Sequence, residues 1–246
     1  MKTLKISLIF IALLSAFALP AWSKKQADLL SKAPTFRVDY RLILAADGSI
    51  EVLKAQEETV SSVLTDNLEK QIRRWKFTPG AVNGITQRTE TNLSLHLEAT
   101  PEAGGNYQIR IIGANTGVGL TPGKMVSPRY PAAQLRNGGE AVLRLLVSYD
   151  ADGNVTNAVR PGEKIKGMAP FELASIQAVK QWRFEPEKIG GLGVPGSALV
   201  PIKFCTAESK CKKLLSGSMA KEKLAQDLAA QVMPVNSKVS IVRQTL

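Results

Sequence analysis

Few residues of this chain have the types and spacing that catalysis requires. His96 is the only histidine, and it alternates with Leu95 and Leu97 in a strand-like pattern. We therefore predict that it points to the solvated face of a sheet as an ordinary surface histidine. Ser218 and Lys221 have a Ser-x-x-Lys spacing, but the companion motifs of that catalytic group are missing from the sequence. An ordinary helix beginning at Ser218 is the simpler interpretation.

The stretch "DADGN", Asp150 to Asn154, is similar to the start of a calcium-binding loop. Its glycine comes too early, however, and no glutamate closes the loop at the required distance. A hairpin turn explains the same residues. The sequence also has no glycine-rich phosphate-binding loop. We therefore predict that the protein is not an enzyme and has no catalytic residues, metal, cofactor or small-molecule substrate.

The first 23 residues have the pattern of a secretory signal peptide. Lys2 and Lys5 form a positive start, Ile6–Leu19 form a short apolar core, and Ala21–Ser23 offer a small-x-small cleavage site. The alternative is an uncleaved membrane anchor, but the apolar run is shorter than the roughly 20 residues that a span needs. We expect export, with a mature chain that begins near Lys24.

The chain is basic, with a formal net charge of +11. Such a surface could meet anionic lipid, peptidoglycan, acidic protein or nucleic acid. Because the signal peptide directs export and no basic run is interleaved with aromatic residues, we predict that nucleic acid is not a partner.

Cys205 and Cys211 are the only cysteines. An even count in an exported protein favours a disulfide, and two thiols with one distant histidine cannot form an ordinary zinc site. Two free thiols remain the alternative.

One phrase occurs twice, as "RRWKFTPG" and as "KQWRFEPE", and it contains two of the three tryptophans. The shared pattern is Trp-[Lys/Arg]-Phe-x-Pro, in which the tryptophan ends a helix and the proline prevents its continuation. We interpret the six shared residues as a core motif, namely Trp75, Phe77, Pro79, Trp182, Phe184 and Pro186.

The elements around each phrase also correspond. Alternating apolar residues on either side of Asp47-Gly48 and of Asp152-Gly153 predict two β-hairpins. A helix follows each hairpin, and a strand closes each unit. The sequence therefore predicts an α+β fold of two β-β-α-β units, each a small antiparallel sheet packed on a helix.

The second unit resembles the carboxy-terminal domain of TonB-like energy transducers. The resemblance rests on "SPRYPAAQLRNGGEAVLRLLVSYDADGNVTNA", "ASIQAVKQWRFEP" and "VPIKF", which occur in the order of that family. The first unit is a degenerate copy that keeps the Asp-Gly turn and the tryptophan phrase. The predicted organisation is a signal peptide (1–23), a degenerate repeat (35–98), a linker with one short edge strand (99–125), a TonB C-terminal-like domain (126–204) and an extension with a helix and a strand (205–246).

The resemblance implies a periplasmic domain that takes up an extended peptide of an outer-membrane TonB-dependent transporter as an added strand. It also implies inner-membrane motor proteins as further partners, and anchoring in the inner membrane if the N-terminus is not cleaved. The expected partner contacts lie in two segments, the first containing Ser127, Pro128, Arg129, Tyr130 and Pro131, and the second containing Ala198, Leu199, Val200, Pro201, Ile202, Lys203 and Phe204.

A second hypothesis is a structural periplasmic adaptor that keeps this fold without energy coupling. Residues 1–23 lack the membrane-embedded histidine of the family's anchor helix, and we find no spacer rich in proline, lysine and glutamate, which leaves this alternative open. The two hypotheses differ at the edge of the last strand of the second unit. A free edge favours peptide binding, whereas an edge covered by the extension, for which "KVSIVRQ" is a candidate, favours the adaptor.

Overall fold

A computed structural model describes residues 34–56, 60–102, 106–120, 124–207 and 233–242. Over these residues the fold is α+β, with helices packed against antiparallel sheets. The predicted signal peptide, the predicted helix from Ser218 and Cys211 all lie outside the described residues. Within the described residues, no helix is both long enough and apolar enough to cross a membrane.

We call residues 34–120 the first half, residues 124–207 the second half and residues 233–242 the strap. The first half contains β1 (Thr35–Leu44), β2 (Ile50–Ala55), α1 (Ser62–Ile72), β3 (Lys76–Thr78), β4 (Ala81–Val82), β5 (Ile85–Thr86), β6 (Thr89–Pro101), β7 (Tyr107–Gly117) and β8 (Gly119–Leu120). The second half contains α2 (Ala132–Arg136), β9 (Ala141–Tyr149), β10 (Val155–Val159), α3 (Ala169–Val179), β11 (Phe184–Glu185), β12 (Lys188–Ile189), β13 (Leu192–Gly193) and β14 (Gly196–Phe204). The strap contains β15 (Met233–Pro234) and β16 (Ser240–Val242).

Both halves place their first strand at the centre of an antiparallel sheet. In the first half β1 lies between β2 and β6, and in the second half β9 lies between β10 and β14. Every second residue of β9 is buried, from Ala141 to Tyr149, because successive side chains in a strand point to opposite faces. Each buried face packs into its own apolar core. Each half thus has a hairpin, a helix and a long strand in this order, but the first half adds β7 and β8 after the long strand and the second half begins with α2. The arrangement as two β-β-α-β units and their origin from a duplicated unit stay predictions.

The Asp-Gly turn and the tryptophan phrase touch each other in both halves. Gly48 and Gly153 have φ angles of +86° and +85°, a region that favours glycine. A Cβ atom on Gly48 would lie 2.4 Å from the carbonyl oxygen of Phe77, and one on Gly153 would lie 2.0 Å from that of Phe184. The N–H of Phe184 also donates to the carbonyl of Gly153 at 2.8 Å. The Asp-Gly turn and the tryptophan phrase therefore form the two sides of one backbone contact.

The two tryptophans do not end the helices as predicted but follow them by three residues, and they differ in burial. Trp182 is 9% exposed in the core of the second half, and its indole N–H donates to the carbonyl of Val126 at 2.8 Å. Trp75 is only partly buried, packs against the first core and lies with its ring 6.3 Å from that of Phe77. Phe184 is stacked on Tyr149 at 5.0 Å, where burial raises the pKa of the Tyr149 phenol. The second copy of the phrase is thus the more deeply buried.

The segment 99–125 does more than link the two halves. We expect one short edge strand there, whereas β7 has 11 residues and pairs with β6 at ten positions, from Asn92↔Gly117 to Pro101↔Tyr107. This strand covers the outer edge of β6. The segment therefore belongs largely to the first sheet.

The prediction of a solvated surface histidine is wrong. His96 is 6% exposed, and its Nε2 lies 2.8 Å from Oδ1 of Asn115 on β7. It faces Gly113 across the strand pair, where a Cβ would lie 3.2 Å from the imidazole ring. His96 does point away from Leu95 and Leu97, but the long neighbouring strand buries that face as well.

The halves are joined by main-chain pairing. The short strand β12 of the second half pairs with Thr89 and Glu90 of β6, so that it extends the first sheet. Conversely, the short strand β8 of the first half pairs with β11 of the second half. The strap then contacts both halves, because β15 pairs with β14 and β16 pairs with β3.

Candidate partner-binding site

The lead-in segment Ser127–Pro131 packs over the core of the second half and reaches the end of β14. The hydroxyl of Tyr130 lies within hydrogen-bond distance of the carbonyl oxygens of Gly139 (2.7 Å) and Phe204 (3.3 Å). Its ring meets that of Phe204 edge to face at 5.4 Å. The structure therefore brings together Tyr130 of the first predicted contact segment and Phe204 of the second. Ser127 and Arg129 are exposed.

The last strand, β14, has one fully paired side and one largely open side. It pairs with β9 at every residue from Gly196 to Phe204. On its other side it pairs only at Ala198 and Leu199, with the strap. Among the described residues, Val200–Phe204 have no strand on that side. The open edge is thus five residues long.

The strap shows which backbone groups face this open side. The carbonyl oxygen of Ser197 accepts a hydrogen bond from the N–H of Val235 at 3.0 Å, and the N–H of Ser197 donates to Oδ1 of Asn236 at 3.0 Å. Both backbone groups of Ser197 therefore face the strap. In an antiparallel strand the backbone groups of every second residue face the same side. The groups of Leu199, Pro201 and Lys203 consequently face outward as well.

The open edge therefore offers three backbone groups to an added strand. They are the carbonyl of Pro201 and both the N–H and the carbonyl of Lys203, since proline has no N–H. Proline is tolerated at this position because edge strands do not need every donor. The side chains alternate in the same way: Val200, Ile202 and Phe204 are buried in the core, whereas that of Lys203 is exposed.

The extension covers the edge with a different segment from the one that the sequence indicates. The strand within "KVSIVRQ" does form, as β16, but it pairs with β3 of the first half, where Ile241 faces Phe77. The segment that lies on β14 is β15, Met233–Pro234. A two-residue strand that contains proline has no periodic pattern, so the sequence gives no sign of it.

Among the described residues, the strand of the first half that corresponds to β14 has no comparable open side. The strand β6 corresponds to β14 in sheet order, and its outer side is paired with β7 at ten positions and with β12 at two more. The candidate site thus belongs to the second half alone.

Nothing in the described part of the chain points to metal binding or to a catalytic group. No cluster of three or more His, Cys, Asp or Glu side chains that could hold a metal occurs there. In the turn that resembles a calcium loop, Asp150 accepts hydrogen bonds from the side chain and the N–H of Asn154, which lower the pKa of its carboxyl group. Its oxygens therefore stabilise the turn, as the hairpin interpretation predicts. The pairing of Cys205 with Cys211 stays a prediction because Cys211 lies outside the described residues.

Comparison with known proteins identifies the class of domain. Residues 126–206 match the family described as the C-terminal part of the Gram-negative bacterial TonB protein. The second half of the chain is therefore similar to the TonB C-terminal domain over residues 126–206. The prediction that the chain is not an enzyme agrees with this family, whose members are non-catalytic energy transducers.

Individual relatives match part of this chain. The Protein TonB of Xanthomonas campestris pv. campestris (strain B100) is 33% identical over 93 residues, which are 38% of this chain and 40% of the relative. The Protein tonB2 of Pseudomonas aeruginosa is 35% identical over 78 residues, 32% of this chain and 28% of the relative. The solution NMR structure of the Pseudomonas aeruginosa TonB CTD is 25% identical, with a TM-score of 0.30, over 37% of this chain and 87% of that chain. The chain thus spans well under half of the curated relatives that it matches.

Proposed function

We propose that this protein is a periplasmic TonB-like protein that binds extended peptides of outer-membrane TonB-dependent transporters and contributes to energy-coupled transport. The single observation that carries the proposal is the open edge of β14 from Val200 to Phe204, within the part of the chain that matches the TonB C-terminal domain. An unpaired strand edge is a template for a further strand.

The binding is weak in this proposal, and main-chain pairing supplies only part of it. Three backbone hydrogen bonds contribute about 0.5–1.5 kcal/mol each. A micromolar complex requires about −8 kcal/mol. Side-chain contacts with the partly buried residues beside the edge must therefore supply the rest, and Leu199, Pro201 and Tyr130 are placed to make them.

The surroundings of the site follow the family resemblance. We propose that residues 1–23 are removed on export, that residues 35–98 derive from a second copy of the domain, and that Cys205 and Cys211 form a disulfide. Inner-membrane motor proteins are the partners that would drive transport. Amino-terminal sequencing of the protein from a periplasmic fraction should find a start near Lys24, and a start at Met1 in the membrane fraction would replace export by anchoring.

The test is a titration of a transporter-derived extended peptide against the full chain, with a scrambled peptide of the same composition as control. We expect micromolar binding of the first peptide only. Hydrogen exchange recorded on the complex should show slower exchange at the amide of Lys203, which faces outward and gains an acceptor. Equal binding of both peptides, or no binding, would contradict the proposal.

One observation favours the second candidate function, a structural adaptor without energy coupling. The strap covers the edge at Ala198 and Leu199 and is bound into the first half by β16. A fold that only holds other envelope components has no need of an open edge. The peptide titration separates the two functions, since the adaptor would bind neither peptide.

A further inference from the structure

A buried glutamate, Glu187, holds the strap at the point where both halves meet it. Glu187 lies directly after the second tryptophan phrase and is 4% exposed. Its Oε1 accepts hydrogen bonds from the hydroxyls of Thr91 at 2.7 Å and Ser237 at 2.9 Å, and its Oε2 accepts one from the N–H of Lys238 at 2.8 Å. Thr91 belongs to the first half and the other two donors belong to the strap. Glu187 therefore joins the first half, the second half and the strap at one point.

Two neighbouring contacts hold the same stretch of the strap. The hydroxyl of Thr116 on β7 donates to the carbonyl of Val239 at 2.8 Å, and the side chain of Val239 is buried in the core of the first half at 5% exposure. Pro234 lies against Gly117, where a Cβ would be only 2.4 Å from the proline ring. The fixed position of the strap thus depends on the first half, although its effect is on the edge of the second.

That effect is to remove backbone groups from the edge. The strap engages both groups of Ser197 and pairs with Leu199. Release of the strap would expose the outward-facing backbone groups of Ser197 and Leu199. An added strand could then pair with these two residues as well as with Pro201 and Lys203. At the other end of the edge, Tyr130 lies over Phe204. The open stretch is therefore bounded on both sides.

We propose that the strap is an end stop, held by Glu187, that fixes the register of the bound peptide and limits the paired length to the stretch Val200–Phe204. This inference rests on the proposed function of β14 as a peptide-binding edge. The inference predicts that the protein selects a short extended segment of the peptide. Peptide residues beyond that segment add no affinity. The first half contributes to this selectivity because it holds the strap in place.

The experiment compares a five-residue and a nine-residue peptide from the same transporter segment, titrated against the full chain. The variants are Glu187→Gln, which places an amide N–H₂ among the three donors, and Ser237→Ala, which removes one donor. Glu185→Gln is the matched control, because Glu185 lies two residues away with an exposed side chain. Hydrogen exchange of residues 233–242 is measured on each protein without peptide, and a thermal melt shows that each is folded.

In the wild type and in Glu185→Gln, the two peptides should bind within twofold of each other. In Glu187→Gln the nine-residue peptide should bind about tenfold more tightly than in the wild type, and the five-residue peptide should be unchanged. The strap amides should exchange about tenfold faster in Glu187→Gln and by a smaller factor in Ser237→Ala. If Glu187→Gln does not fold, Ser237→Ala is used instead. It should also bind the nine-residue peptide more tightly and exchange its strap amides faster than the wild type.

The outcomes separate the two proposals. Unchanged exchange in the strap of Glu187→Gln and of Ser237→Ala would overturn the role of Glu187 whether or not any peptide binds. Tighter binding of the nine-residue peptide to the wild type, with the strap still protected, would overturn the end stop alone. Absence of binding by every protein would overturn the proposed function, and with it the end stop, while the exchange result would still decide how the strap is attached.

Discussion

Replacing Trp182 by alanine should destabilise the protein by about 3–5 kcal/mol, the loss expected for a buried aromatic side chain. The indole ring is 9% exposed and lies in the core of the second half. The lost hydrogen bond to Val126 adds little to this figure, because Val126 is 43% exposed and its carbonyl can bond to water instead. The cost therefore arises from the cavity and the lost apolar contacts.

The assay is a urea titration followed by circular dichroism, which does not depend on tryptophan fluorescence. Trp182→Phe keeps an aromatic ring in the core and should lose only about 1–2 kcal/mol, because it leaves a smaller cavity. Leu173→Ala is the matched control on α3, since Leu173 is 59% exposed, and it should change stability by less than about 0.5 kcal/mol. A loss below about 1 kcal/mol for Trp182→Ala would refute the interpretation of the phrase as core chemistry.

Three further predictions concern the turns and the cysteines. Gly153→Ala should cost more than Gly162→Ala in a urea titration, because both glycines have φ near +86° but only a Cβ on Gly153 meets another atom; equal costs would mean that the contact is dispensable. The pKa of Asp150 is lowered in the folded state by hydrogen bonds, so its stabilising effect is present above the unfolded pKa of about 4 and is lost as the pH falls through the folded value. Asp150→Asn should therefore reduce the loss of stability as the pH falls below about 5, and an unchanged slope would contradict this. Protein purified without reductant should contain no titratable thiol at Cys205 or Cys211, and two thiols per chain would rule out their disulfide.

The regular elements were predictable because their signals are local. Alternating apolar residues, an Asp-Gly pair and a helical stripe ending in tryptophan each specify structure over a few neighbouring residues. These signals recur at nearly constant spacing, and the structure has a hairpin, a helix and a long last strand in the corresponding places. The backbone contact between Gly153 and Phe184 gives the physical reason why the two marks occur together.

The burial of His96 was not predictable from its own strand. Alternation correctly indicates that its side chain points away from Leu95 and Leu97, but it does not indicate what lies on that side. The outcome depends on β7, whose pairing with β6 extends over ten positions although its sequence suggests only a short strand. The burial of His96 thus depends on the pairing of β6 with β7, which the alternation within β6 does not indicate.

The candidate site was predictable in place but not in extent. The sequence locates the edge at Ala198–Phe204, whereas the strap reduces the open stretch to Val200–Phe204. The residues that cause this, Met233 and Pro234 together with Glu187, have no motif, and they act across more than 30 residues of chain. A buried glutamate that follows a proline looks like any surface glutamate in the sequence.

The most direct test of the central claim uses Lys203, whose N–H and carbonyl face outward from β14. Among the described residues, Lys203→Pro removes the one outward N–H of the open edge, whereas Lys203→Ala removes the exposed side chain and keeps that N–H. Both variants are titrated with the same transporter-derived peptide. The account predicts that Lys203→Ala binds within about twofold of the wild type and that Lys203→Pro binds about tenfold more weakly, which corresponds to about 1.4 kcal/mol. Wild-type affinity in Lys203→Pro would contradict strand addition at this edge.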